Sequence, residues 1–131
     1  MLIEDLIGGT YEIRRRHRRY LPQELRELDE SYDRRLATSI CPPYYQRLER
    51  MLAGMLTRKP VRLNDTSDQI REQLFHVDLQ DDLNVWTYET ARKMIRYGHV
   101  GVLVDAPTDG KGRPYYVTYT PRDILGFRNE I

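Results

Sequence analysis

Five arginines crowd one short stretch near the N-terminus: Arg14, Arg15, Arg16, Arg18 and Arg19. Guanidinium groups on adjacent helical turns present donor forks that match phosphate and carboxylate oxygens. Such a cluster either contacts nucleic-acid phosphates or pairs with acids. The acids at hand are Glu24, Glu27, Glu30 and Asp33 on the following segment, or those of a neighbouring subunit. The 131-residue chain carries 21 Lys and Arg against 20 Asp and Glu, a formal net charge of +1. No global field draws it to a polyanion, so contact with protein outweighs contact with phosphate. Any contact with DNA would not read bases.

Other chemistry is thin. His76 and Asp78 flank Val77 as two metal-ligand types. Residues two apart on a helix diverge, and no third ligand accompanies them. Gly8-Gly9 and Gly110-Lys111-Gly112 are too short for phosphate loops. Asp105 ends a strand-like run without a paired acid or an activated nucleophile, and reads as a turn cap. Ser31, Ser39 and Ser67 have no histidine in a recognisable motif. Cys41 is the single cysteine, which leaves no internal disulfide and fits a reducing compartment. These readings point to a protein that is not an enzyme and has no cofactor and no metal.

The elements that position these residues follow from periodicity. A helix is expected over about 2–19, interrupted at Gly8-Gly9 and ended by Leu21-Pro22. A second covers about 30–40, with Tyr32, Leu36 and Ile40 four apart. A third covers about 43–57. Tyr45, Leu48, Leu52 and Met55 form its expected core face, widened by Tyr44, Met51 and Leu56. Pro60 to Leu63 reads as extended. Ser67 or Asp68 caps a helix over about 68–78, and Asp81 or Asp82 starts another over about 82–97. Leu83, Trp86, Thr90, Met94 and Tyr97 share a face of the latter, and Gly98 stops it.

Then the period changes to that of strands. Residues 99–105 form a valine-rich strand with Val102, Leu103 and Val104 in the core, and 114–119 form its hairpin partner. Thr120-Pro121-Arg122-Asp123 has the pattern of a helix start, with Ile124 and Leu125 packing back on the sheet. Phe127-Arg128 reads as the entry to another strand. The expected fold is a single α+β domain, a mainly helical N-terminal two-thirds followed by a small antiparallel sheet.

No stretch approaches the roughly 18 apolar residues of a membrane span, and the start has no signal-peptide order. Hydrophobic residues make up 40% of the chain and charged residues 31%, a lean core that suits an obligate oligomer. Ten tyrosines against two phenylalanines suit half-wet positions at interfaces.

Several segments, in order, resemble the N-terminal part of the portal proteins of tailed phages and prophages. They are Leu6-Ile7-Gly8-Gly9-Thr10 before the arginine-rich helix, Tyr20-Leu21-Pro22, Tyr32 to Arg35, and Gly54 through Arg58-Lys59-Pro60. The run Tyr97 to Pro107, then Arg113-Pro114-Tyr115 and Thr120-Pro121 to Phe127, completes the series. Phe127 stands where that family has tryptophan. The resemblance implies a wing-region piece of a structural virion protein. Such a protein forms a ring of identical subunits, a dodecamer, at a capsid vertex. It passes DNA during packaging and contacts capsid protein and adaptor or tail proteins. It places the chain in the virion, and in the host cytoplasm during assembly. Portal proteins are several times longer, and their stem and clip have no counterpart here. The alternative is a small head-tail adaptor or head-completion protein, or a domesticated portal fragment acting as a protein-interaction module.

Overall fold

A computed structural model describes residues 2–75, 77, 82–108 and 112–126. The fold is α+β and mainly helical, with a two-stranded antiparallel sheet near the C-terminus. Where the sequence reads as one domain, contacts group the chain into two compact units, Met1–Leu48 and Glu49–Ile131.

In the first unit, α1 spans Leu2–Arg15 and bends at Gly9, whose φ of 59° and ψ of −140° fall in a region essentially reserved for glycine. The interruption lies where the glycine pair predicts it. Glu4 and Asp5 occupy the first turn and Arg14 and Arg15 the last, which suits the helix dipole. The helix is shorter than expected: after Arg15 the chain tightens into a 3-10 turn, His17–Arg19. The second helix, α2, spans Asp29–Thr38 and buries Tyr32 and Leu36. Ile40, expected on the same stripe, is exposed, because α2 ends before it. The hydroxyl of Thr10 donates to the Cys41 carbonyl at 3.2 Å and accepts from the Cys41 N–H at 3.0 Å. One side chain thus satisfies both backbone groups of a residue far along the chain.

Helix α3, Tyr44–Leu56, begins in the first unit and ends in the second. It departs most from expectation. Leu48, Leu52 and Met55 are exposed, as are Tyr44, Met51 and Leu56, and Tyr45 is half-buried. The buried residues are Glu49 and Ala53, four apart on a different face. A helix can turn only one stripe inward, and an acid at its centre hides that stripe from any reading of hydropathy.

In the second unit, α4 spans Asp68–Phe75, with Ser67 Oγ accepting from the Ile70 N–H at 3.4 Å. The sequence extends this helix to about residue 78; positions 76 and 78 lie outside the described residues. Helix α5 spans Leu83–Tyr97. The Asp82 carboxylate caps it by accepting from the N–H groups of Asn84 at 2.6 Å and Val85 at 3.0 Å. Gly98, at φ 84°, closes it by donating to the Met94 carbonyl at 2.7 Å. Trp86, expected in the core, is only half-buried, and Met94 is exposed.

Strands β1 (Gly101–Asp105) and β2 (Tyr115–Tyr119) pair antiparallel, with Leu103 opposite Val117. Both are shorter than the sequence suggests. Helix α5 reaches this sheet through β2: Trp86 lies 5.4 Å from the Tyr116 ring, and Lys93 Nζ donates to Thr118 Oγ1 at 2.6 Å. Val102, Leu103 and Val104, expected in the core, are therefore exposed; no layer of described residues covers β1. After β2, Asp123 accepts from the Thr120 hydroxyl at 2.8 Å and its N–H at 2.9 Å. That is half of a capping box, but the segment forms a turn rather than a helix. Ile124 packs against Gly101, while Leu125 is fully exposed. The strand entry expected at 127–128 lies outside the described residues.

Candidate functional site

The arginine segment runs from the last turn of α1 through the 3-10 turn. Helical geometry splays its side chains in different directions, and most find a partner inside the first unit. Arg14 donates through Nε and Nη2 to the Ser39 carbonyl at 3.0 and 2.7 Å. Arg15 forks onto Glu12 at 3.0 and 2.6 Å. Arg16 reaches Asp5 at 3.1 Å. Arg18 donates to Gln23 at 2.7 Å and lies 3.9 Å from Asp29. Arg19 lies over the Tyr20 ring at 5.8 Å. None of the four acids expected on the following segment is among these partners, and Glu27 pairs instead with Arg35 at 2.7 Å. His17 is held at φ 47°, a conformation few non-glycine residues adopt, where α1 gives way to the 3-10 turn.

Two residues anchor this unit, of which the sequence marks only Tyr32, as part of an apolar stripe. The first is Asp5, 2% exposed, which accepts from the Tyr20 hydroxyl at 2.6 Å as well as from Arg16. That hydroxyl, with the Arg16 charge, holds the Asp5 carboxyl below the usual aspartate range, against the opposing effect of burial. The same bond raises the Tyr20 phenol. The second is Tyr32, whose ring meets the guanidinium groups of Arg18 at 5.7 Å and Arg35 at 5.4 Å. Its hydroxyl donates to the Leu21 carbonyl at 3.0 Å.

The second unit is organised around a buried ion triad. Glu49, 1% exposed, accepts from Arg92 Nε at 2.9 Å and from Arg96 at 2.9 and 3.1 Å. Arg92 and Arg96 are one turn apart on α5, so their stems run parallel toward one carboxylate. Arg92 also forks onto Glu89 at 2.9 and 3.0 Å. Both Glu49 oxygens are satisfied, which is the condition for tolerating a buried charge. The one legible signal was the arginine spacing on α5.

Asp105 accepts from the Ala106 N–H at 2.8 Å and the Tyr115 hydroxyl at 3.1 Å, the turn-capping role its position suggests. Among the described residues no three His, Cys, Asp or Glu side chains converge as metal ligands; His76 and Asp78 lie outside them. A cavity of about 160 Å³ in the second unit is lined by Val61, Leu63, Leu74 and Leu83, with Arg71 and Asn84 at its polar side. Arg71 is directed to Asp68, and Asn84 to the Val61 N–H. No helix among the described residues is long and apolar enough to cross a membrane.

What remains available on both units is apolar surface. The first exposes Leu2, Tyr11, Leu25, Leu28 and Ile40, and the second Met51, Met55, Leu56, Val102, Leu103 and Val104. No family model, curated protein or solved structure matches the chain.

Proposed function

We propose that this chain is a structural subunit rather than an enzyme: the wing-region part of a portal-like ring at the capsid vertex of a tailed phage or prophage. In that role it meets identical subunits, capsid protein and adaptor or tail proteins while DNA is packaged. One observation carries the reading. Large apolar side chains stand exposed on both units, and fully buried apolar residues are few: Tyr32, Leu36, Ala53 and Val77 among the described residues. Scattered exposed leucines are ordinary, but so many large exposed apolar side chains on a lean core, among them Val102 and Val104 on one face of β1 and Leu103 on the other, mark contact surfaces. The order of portal-like segments supplies the kind of assembly.

The arginine segment serves this reading as internal bracing. With most guanidinium groups already directed to partners in the same unit, it offers DNA little beyond Arg19 and the outer faces of the paired heads. A small head-tail adaptor is the second reading, and the same exposed apolar surface would serve it as a protein-contact face.

The test is mass spectrometry of purified phage particles. The portal reading expects peptides of this chain in intact heads, at the copy number of a single vertex ring and within a much longer polypeptide. Peptides that fractionate with tails, from a product ending at Ile131, would replace it with the adaptor reading. Complete absence from particles would overturn both.

A further inference from the structure

Strand β1 has an edge whose geometry can be read residue by residue. On the far side of the hairpin, the Tyr116 N–H donates to the Val77 carbonyl at 2.9 Å. Tyr116 therefore points its backbone groups away from β1, and Val104–Tyr116 is a non-hydrogen-bonded pair of the ladder. Alternation makes Gly101–Tyr119, Leu103–Val117 and Asp105–Tyr115 the hydrogen-bonded pairs. The N–H and C=O groups of Val102 and Val104 must then face outward. Among the described residues none of them takes part in a hydrogen bond. The side chains share that openness: Val102 is 46%, Leu103 48% and Val104 59% exposed. No proline, lysine or bulge guards the strand, the devices that ordinarily blunt a free edge.

We propose that β1 is a self-pairing edge, through which two copies of this chain join antiparallel about a two-fold axis at Leu103. One register alone overlaps all five residues of the strand. It sets Val102 against Val104 of the second copy, twice, and Leu103 against its own equivalent. The parity agrees. Val102 and Val104 carry the outward groups, so both of their pairs are hydrogen-bonded. The two Leu103 residues form the non-hydrogen-bonded pair between them, where side chains approach most closely. The charges agree as well. Asp105 falls opposite Gly101 of the second copy, so the two carboxylates sit at opposite ends and no like charges meet. The product is a four-stranded sheet in the order β2-β1-β1-β2, in place of a two-stranded one of marginal stability. A two-fold contact closes on itself and differs from the head-to-tail contact of a ring, so this inference does not rest on the portal reading.

The test uses the full chain with Cys41→Ser, which leaves the backbone groups of residue 41 in place. Sedimentation equilibrium should give twice the chain mass. Leu103→Cys should oxidise rapidly to a covalent dimer, because facing non-hydrogen-bonded residues lie within disulfide reach. Val104→Cys, which faces Val102, should cross-link far more slowly. Val104→Pro removes an outward N–H and no bond of the hairpin, and should sediment as a monomer with unchanged far-UV circular dichroism. Should that variant unfold, Val104→Lys gives the same readout. The proposal is overturned by a wild-type chain that stays monomeric up to its solubility limit. It is equally overturned by Val104→Cys cross-linking as fast as Leu103→Cys, or by a dimer that the edge substitutions leave intact.

Discussion

Two buried carboxylates hold the two units, and they respond differently to change. Asp5 accepts from Tyr20 and Arg16, and its folded value lies below the ordinary 3.8. A depressed carboxyl contributes stability that is fully present above its unfolded value and lost as pH falls through the lowered folded value. Asp5→Asn should therefore flatten the acid limb of the melting temperature below about pH 4, with wild type and variant converging at the lowest pH. Parallel curves would mean that Asp5 is not linked to folding. Glu49 is the harsher case. Glu49→Ala leaves Arg96 without a carboxylate and Arg92 with only Glu89. Breaking a buried pair from one side costs about 3–5 kcal/mol, and denaturant titration of the variant should show a loss of that size.

At the scale of elements, punctuation was legible and packing was not. Asp82 and Gly98 bound α5 where their types say they should, because a cap is a local matter of donors and φ angles. Asp82→Ala should lower stability by about 1 kcal/mol in thermal denaturation, with the loss confined to α5 amides in hydrogen exchange. Gly9 breaks α1 for the same local reason. The inward face of α3 was not legible. Leu48, Leu52 and Met55 make the stronger apolar stripe, yet Glu49 and Ala53 are buried. The choice is made by Arg92 and Arg96, more than forty residues away. Likewise, valines at 102 and 104 identify β1 as a strand, but its burial depends on whether a helix lies over it, and α5 lies over β2 instead. The candidate site followed the same division. The arginine cluster was visible, and Glu12 three residues before Arg15 is a local helical pair; the partners Asp5 of Arg16 and Ser39 of Arg14 were not legible, since tertiary packing brings them together.

For the whole molecule, charge and exposure together set expectations about partners. A net charge of +1, with most arginine heads of the 14–19 segment directed to internal acceptors, provides neither a net positive field nor a free basic cluster there to displace condensed counterions. Fluorescence anisotropy with duplex DNA should show no saturable binding at about 150 mM salt, and only weak, steeply salt-dependent binding well below it. Tight binding with a steep slope at physiological salt would mean that the arginines exchange their internal partners for phosphates.

The triad of Glu49, Arg92 and Arg96 also constrains how this sequence can drift. Loss of the acid strands Arg96 and leaves Arg92 only Glu89, and loss of either arginine leaves the carboxylate short of a donor. Each single step crosses a valley of stability, while replacement of the whole set by apolar residues of similar volume need not. The three positions should behave as one heritable unit: descendants of this chain keep the acid with both arginines or replace all three together.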